Sequence, residues 1–292
     1  IRQNDNIISG SNEIAETFNE YFSTIGDKIA NSVDSGNTHI SSYISKSSTT
    51  FEFDTLSVDK VLHSFHAISS SKAIGVDKIP MKVLKLSIAI IAPSMTKFFN
   101  YVIQNGVFPR DWKVAKVIPL HKKGSKNLLD NYRQISILPA ISKAFESILY
   151  EQLHGYLSNA SILSKCQFGF RRYHSTTTAL LDSTNQWYSN MDKGLLNIVA
   201  FLDLKKAFDT IDHEILIEKL NMYGVKRHSL GLLESYITNR SQKCFINGTL
   251  SHSKPITCGI PQGSILGQLF FLVYINDLPN CLIILYTEDV CR

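Results

Sequence analysis

From Ile14 onward, apolar residues recur at the spacing of a helix face: Ile14, Phe18, Phe22, Ile25 and Ile29. That spacing predicts an amphipathic helix over about 12–30. The stretch 41–50, Ser-Ser-Tyr-Ile-Ser-Lys-Ser-Ser-Thr-Thr, is too polar to pack and reads as a linker. A new unit opens near Phe51, where Val58, Val61, Leu62, Phe65 and Ile68 mark a second helix with Ser57 as its N-cap; Gly75 and Pro80 punctuate the loop that follows. Lys113 to Leu120 alternates basic with apolar residues and gives way to His121-Lys122-Lys123-Gly124, a strand running into a basic turn. Beyond Pro139 a long helix carries Ile141, Ala144, Phe145, Ile148, Leu149 and Leu153 on one face. The run Leu196 to Leu204 is apolar but for Asn197 and Asp203, which predicts a central strand covered on both faces. Asp212 then caps a helix bearing Ile215, Leu216 and Leu220 that ends near Gly224.

Composition narrows the class. With 292 residues, 44% hydrophobic and 19% charged, the chain is neither disordered nor a small cross-linked scaffold. Its formal charge of +5 is unevenly spread: residues 110–172 hold 11 Lys and Arg against 4 Asp and Glu. The basic surface therefore belongs to one region and suits either a polyanion such as nucleic acid or plain solvation. Five cysteines without a C-x-x-C pair argue against a disulfide framework or a zinc module. The first residues lack the apolar core of a signal peptide, and the most apolar stretch, Leu269 to Tyr286, is broken by Asn276-Asp277-Leu278-Pro279-Asn280. These features predict an intracellular protein, nuclear or cytoplasmic, not secreted and without a membrane partner. The absence of an initial Met predicts a piece of a longer chain.

Three segments carry candidate chemistry. Asp203 would end a buried strand, where a carboxylate is costly unless a metal ion or another charge compensates it. Asp209, Asp212 and Glu214 follow closely, and each is read first as a cap or a solvated helix acid. Gly259-Ile-Pro-Gln-Gly-Ser-Ile-Leu-Gly267 precedes an apolar helix; its glycines and a helix N-terminus give a weak phosphate-loop signal without a Walker-type lysine. Leu282 to Val290 reads as a strand ending in Glu288 and Asp289. Set beside Asp203 in one sheet, those acids would form a cage of hard oxygen ligands for Mg²⁺.

In that order, Phe201-Leu-Asp-Leu-Lys-Lys-Ala-Phe-Asp209, Gly259 to Gly267 and Tyr286-Thr-Glu-Asp289 resemble three successive core motifs of reverse transcriptases, of the non-LTR, LINE-type and jockey-like variety. Gly75 to Pro80, Val117 to Gly124, Asn131 to Ser136, Leu138 to Glu146 and Gln167 to Arg171 agree with the resemblance, which runs from about residue 50 to the end. It implies an α+β right-hand polymerase with fingers and palm, an antiparallel palm sheet flanked by helices, and no thumb. The implied divisions are a helical extension with a Ser-rich linker over 1–50, fingers over 51–180 with the reverse transcriptase domain from about 100, and palm over 181–292. By the same resemblance Asp203, Glu288 and Asp289 are catalytic and bind two Mg²⁺, with Mn²⁺ a substitute. Lys122 and Arg133 pair with the triphosphate, Phe208 lies under the sugar and excludes a 2′-hydroxyl, and Gln262 with Gly263 meets the incoming nucleotide. Lys123, Arg171 and Arg172 hold nucleic acid. The implied partners are an RNA template, a DNA primer or target, and dNTPs.

The departures from the family pattern predict an impaired enzyme. The usual Tyr-Ala-Asp-Asp stands here as Tyr286-Thr287-Glu288-Asp289, which lengthens a metal ligand by one methylene. The usual Arg-Pro-Ile-Ser stands as Arg133-Gln134-Ile135-Ser136 and Gly-Pro-Leu as Gly267-Gln268-Leu269, losing two local φ restraints. A decaying genomic copy with little processive synthesis is the expectation, and the competing expectation is a non-catalytic remnant that binds nucleic acid through its basic segment.

Overall fold

The alternation of basic and apolar residues after Lys113 forms strand β3 (Val114–His121) in the computed structural model, which describes residues 1–3, 6–32 and 40–280. A short hairpin, β1 (Arg2–Gln3) and β2 (Asn6–Ile7), precedes helix α1 (Ser11–Ala30). Then come α2 (Val58–Ala67), with the Ser57 hydroxyl accepting from the Lys60 amide as its N-cap, and α3 (Met81–Asn105). After β3 the chain forms β4 (Tyr132–Ile137), α4 (Ala140–Asn159) and α5 (Thr176–Asp192). Helix α6 (His213–Met222) starts at the Asp212 cap, whose carboxylate accepts from the Ile215 amide. Helix α7 (Arg227–Ile237), strands β5 (Arg240–Ile246), β6 (Thr249–Leu250) and β7 (Lys254–Ile256), and helix α8 (Ile265–Ile275) complete it.

The larger sheet runs β4-β3-β5-β6, with β7 also on β5. β3 pairs antiparallel with β4 and parallel with β5, so the sheet is small and mixed rather than purely antiparallel. Lys116 and Val117 oppose Ile137 and Ser136 on one side and Lys243 and Cys244 on the other. The apolar faces of α2, α3, α4, α6, α7 and α8 meet in one core, with Phe145 of α4 against Phe99, Phe108 and Trp112 at 4.7–6.0 Å between rings. Helix α3 is long and apolar enough to cross a membrane by length and composition, but its Leu84, Ile88, Ala92 and Phe99 are buried in this core.

Two expectations fail here. The stretch 196–204 is not a strand: Leu196, Ile198, Phe201 and Leu202 are 78–95% exposed, with Asn197 tied to Asn190 and the Trp187 carbonyl of α5. The polar stretch 41–50 does pack. Ile44 is buried, the Ser47 amide donates to the Met222 carbonyl, and the Tyr156 hydroxyl gathers Thr49 and Tyr223 carbonyls. Ser41, Ser42, Ser45, Ser48 and Thr50 stay exposed, while Ser47 and Thr49 bond to each other and to the Tyr156 hydroxyl.

Helix α1 lies on the sheet rather than apart from it. Phe18 and Phe22 pack with Ala115, Val117, Leu138 and Cys244 in a second core. Polar ties surround that patch: Glu16 accepts from the His252 amide at 2.6 Å, Asn19 donates to the His252 carbonyl at 2.8 Å, and Glu20 pairs with Lys254. Strands from both sides of residue 180 share the sheet that α1 covers.

Candidate active site

Three stretches separate in sequence meet beside β4: 206–211, 258–264 and β4 itself. The Gly259 amide donates to the Ile211 carbonyl at 2.7 Å and the Ile260 amide to the Phe208 carbonyl at 2.9 Å. The Ser136 amide of β4 donates to the Gln262 carbonyl at 2.7 Å. Gly263 adopts φ +113, and a Cβ there would lie 2.9 Å from the Ser136 carbonyl oxygen, so only glycine lets this loop sit on β4.

At the centre stands Asp209, 6% exposed. Its Oδ1 accepts from Gln134 Nε2 at 2.8 Å and from Gln262 Nε2 at 2.6 Å. Burial pushes its carboxyl pKa up, while the two amide hydrogen bonds and the charges of Lys206 and Lys122 pull the other way. Lys206 donates to the Tyr132 carbonyl at 3.1 Å and lies 3.6 Å from Asp130, whose carboxylate accepts from Tyr21 of α1 at 2.7 Å. That hydroxyl, first, and Lys206 hold the Asp130 pKa down despite some burial.

The weak phosphate-loop reading of 259–267 gives way to an internal arrangement. Glu146, on α4 and fully buried, accepts from the Ile265 amide at 2.9 Å and the Leu266 amide at 3.4 Å, with the Ser142 hydroxyl at 2.9 Å on its other oxygen. The N-terminus of α8 is thus already occupied by one of the protein's own carboxyl groups. The Ser264 hydroxyl caps the same turn by accepting from the Gly267 amide.

The residues singled out from sequence are placed unevenly. Phe208 stacks on Phe271 of α8, rings 4.7 Å apart and 13° from parallel, with Phe170 edge-on to both. Lys122, Lys123 and Arg133 are exposed at one end of the β3–β4 hairpin, where Leu120 opposes Arg133. Arg171 spends one guanidinium nitrogen on the Ser164 and Gln167 carbonyls, while Arg172 is exposed against the Tyr173 ring. Asp212 is a cap and Glu214 an exposed helix acid. Asp203 is exposed rather than buried at a strand end; Glu288 and Asp289 lie outside the described residues. Among the described residues no cluster of three or more His, Cys, Asp or Glu could hold a metal ion. Among the described residues the Asp203 carboxylate has no protein partner, and a carboxylate oxygen is a ligand of the type that hard divalent cations take. Cys166, Cys244 and Cys258 are free thiols.

Sequence reasoning overlooked Gln134 and Glu146 and set Asp209 aside as a solvated acid. For Glu146 a signal existed: it shares a helix face with Ser142, Leu149 and Leu153, all buried. For Gln134 and Asp209 none did, since their burial depends on two loops that meet only in the folded chain.

These loops, this sheet and their order along the chain define a class. A family model described as reverse transcriptase (RNA-dependent DNA polymerase) matches residues 120–286, and the chain belongs to that family. Among its relatives, the RNA-directed DNA polymerase from mobile element jockey of Drosophila melanogaster is 30% identical over 226 residues, which cover 77% of this chain and 25% of that protein. The probable RNA-directed DNA polymerases from transposon X-element and transposon BS of the same fly are 31% and 28% identical, each over 76% of this chain and 25% and 24% of their own lengths. The chain spans about a quarter of the length of these curated relatives.

Proposed function

We propose that the chain is the RNA-directed DNA polymerase domain of a jockey-like, non-LTR mobile element, adding dNTPs to a primer 3′-hydroxyl on an RNA template. The observation that carries this reading is the convergence of β4, 206–211 and 258–264 on one buried carboxylate, all within the matched family region. Arg133 and Lys122, exposed at the rim of that cluster, suit a triphosphate by geometry and charge. Phe208, fixed by Phe271, offers a flat apolar floor under a deoxyribose, on which a 2′-hydroxyl would be desolvated without a partner. Gln262 and Gly263 flank the nucleotide, and Lys123, Arg171 and Arg172 face template and primer phosphates; Arg171 keeps further guanidinium donors for that purpose.

Asp203, Glu288 and Asp289 are the residues that would hold two Mg²⁺, with Mn²⁺ as substitute. Bound there, the ions would supply positive charge to the attacking primer oxygen and to the leaving pyrophosphate. The longer Glu288 side chain displaces one ligand, and a shift of about 1 Å costs on the order of 100-fold in rate, so the copy is impaired relative to its relatives. Its working compartment is the cell interior, cytoplasm or nucleus, where such templates and targets are found.

A second reading has its own support: Lys122, Lys123, Lys126 and Arg133 are all exposed in the basic segment, so an RNA-binding remnant would survive loss of catalysis. Single-nucleotide incorporation by the wild-type chain and by Asp203→Ala separates the two. The polymerase reading expects the substitution to remove incorporation by more than about 100-fold with RNA affinity intact. The remnant reading expects no incorporation from either, and RNA binding that weakens steeply with salt in both.

A further inference from the structure

We propose that Asp209 is a positioning residue that, together with Gln134, holds the Gln262 side chain in one orientation at the nucleotide site; this rests on the polymerase reading above. A carboxyl oxygen that accepts two amide hydrogen bonds makes each glutamine facing it present its NH₂ and turn its carbonyl oxygen away. Both glutamines do so, on the same Oδ1. With one N–H spent on Asp209, Gln262 offers its carbonyl oxygen as an acceptor and its second N–H as a donor, each in a fixed direction. A phosphate oxygen can meet only that remaining N–H, whereas a sugar hydroxyl or a base amino group can also donate to the carbonyl oxygen.

The surroundings make the clamp stiff. Asp209 is held from behind by its own backbone: its amide donates to the Lys206 carbonyl at 2.7 Å, and its carbonyl accepts from Cys258 Sγ at 3.4 Å. The Gln262 backbone is tied to Ser136, two residues beyond Gln134 on the same strand. Loop 258–264 therefore meets β4 twice, once through the main chain and once through the Gln134–Asp209–Gln262 bridge. The residue that departs from the family's usual proline is the one that completes the bridge: proline has no side-chain donor, whereas Gln134 is 8% exposed with its Nε2 on Asp209. On this chain the substitution adds a buried tie where loss of a restraint was expected.

Two readouts test the proposal in the 292-residue chain. Hydrogen exchange of the 258–264 amides, without ligand, is expected to speed up at least tenfold in Asp209→Asn, less in Gln134→Met, and not at all in the exposed control Lys97→Ala. With RNA template, DNA primer and Mg²⁺, Asp209→Asn is expected to raise KM for the matching dNTP about tenfold with a smaller change in kcat. Gln262→Met should do the same, and the double variant should be no worse than Gln262→Met alone. Asp209→Glu should recover part of the loss. Unchanged loop exchange in Asp209→Asn would overturn the clamp whatever the chain's activity. Faster exchange with additive losses, or equal falls in kcat and kcat/KM, would reduce Asp209 to a general structural role. Faster loop exchange in Asp209→Asn together with a wild-type chain that binds no dNTP would refute the polymerase reading and, with it, the nucleotide-facing part of this assignment.

Discussion

Glu146 and Asp209 place two carboxylates in the interior, and each is held by hydrogen bonds rather than by a close cation: no ion pair within 4 Å forms on either among the described residues. Burial pushes both pKa values up. A carboxyl with a raised folded value binds its proton more readily in the folded chain, so its contribution to stability falls as pH rises from the unfolded value, about 4, through the folded one. Acidifying from neutrality should therefore recover stability at these two sites. His154 and His213 oppose the trend, because burial lowers their values and the unfolded chain gains protons first below about 6.5. The informative quantity is the difference between wild type and Glu146→Gln. Urea unfolding should show the variant gaining on wild type as pH rises from 4 to 7, with a slope of at most about 1.4 kcal/mol per pH unit. A difference that does not vary with pH would mean Glu146 keeps an ordinary value. At this scale the sequence was legible where a residue acts locally: Ser57 and Asp212 are the caps their positions announce. It was opaque for Gln134 and Asp209, joined across 75 positions, and for the tie from Asp209 to Gln262 across 53.

Elements with a clean apolar stripe were readable in advance. Helices α1, α2, α4 and α6 and strand β3 formed where periodicity put them. Helix α3 was overlooked because apolar residues surround much of it, with Leu86 and Ile90 about 80% exposed on the face opposite the core, which blurs a period of 3.6. Helix α5 was overlooked for the reverse reason: it buries no residue and is rich in Thr and Asn, so only its Ser175–Thr178 capping box marks it. The run 196–204 shows the limit of hydropathy, which states that a segment needs cover but not what covers it. Helix α1 yields a sharp element-level prediction. Gly26 faces the Asp209 carbonyl and Cys258 Sγ so closely that a methyl group would collide with both. An alanine inside a helix normally stabilises by roughly 0.5–1 kcal/mol. Here Gly26→Ala should instead destabilise by about 1–3 kcal/mol through overpacking, measured by denaturant unfolding. Stabilisation by the usual amount would show that α1 does not press on the Asp209 loop.

Over the whole molecule, charge and topology point the same way. Residues 110–172 carry the excess of basic residues, and the exposed Lys122, Lys123 and Arg133 stand beside the cluster that ties 206–211 and 258–264 to β4. The sheet joins strands from 114–137 with strands from 240–256, and α1 covers both. Long-range order of this kind is set by pairing between distant segments, which local patterning does not encode. The most direct test is templated addition: the chain with a DNA primer annealed to RNA templates that differ only in the first unpaired base, each offered the four dNTPs singly, with Mg²⁺. We expect extension by one nucleotide, matched to the template base, for dNTPs over rNTPs. Addition that ignores the template, or none by a chain that still binds the primer–template, would contradict the assignment of this fold to RNA-directed DNA synthesis.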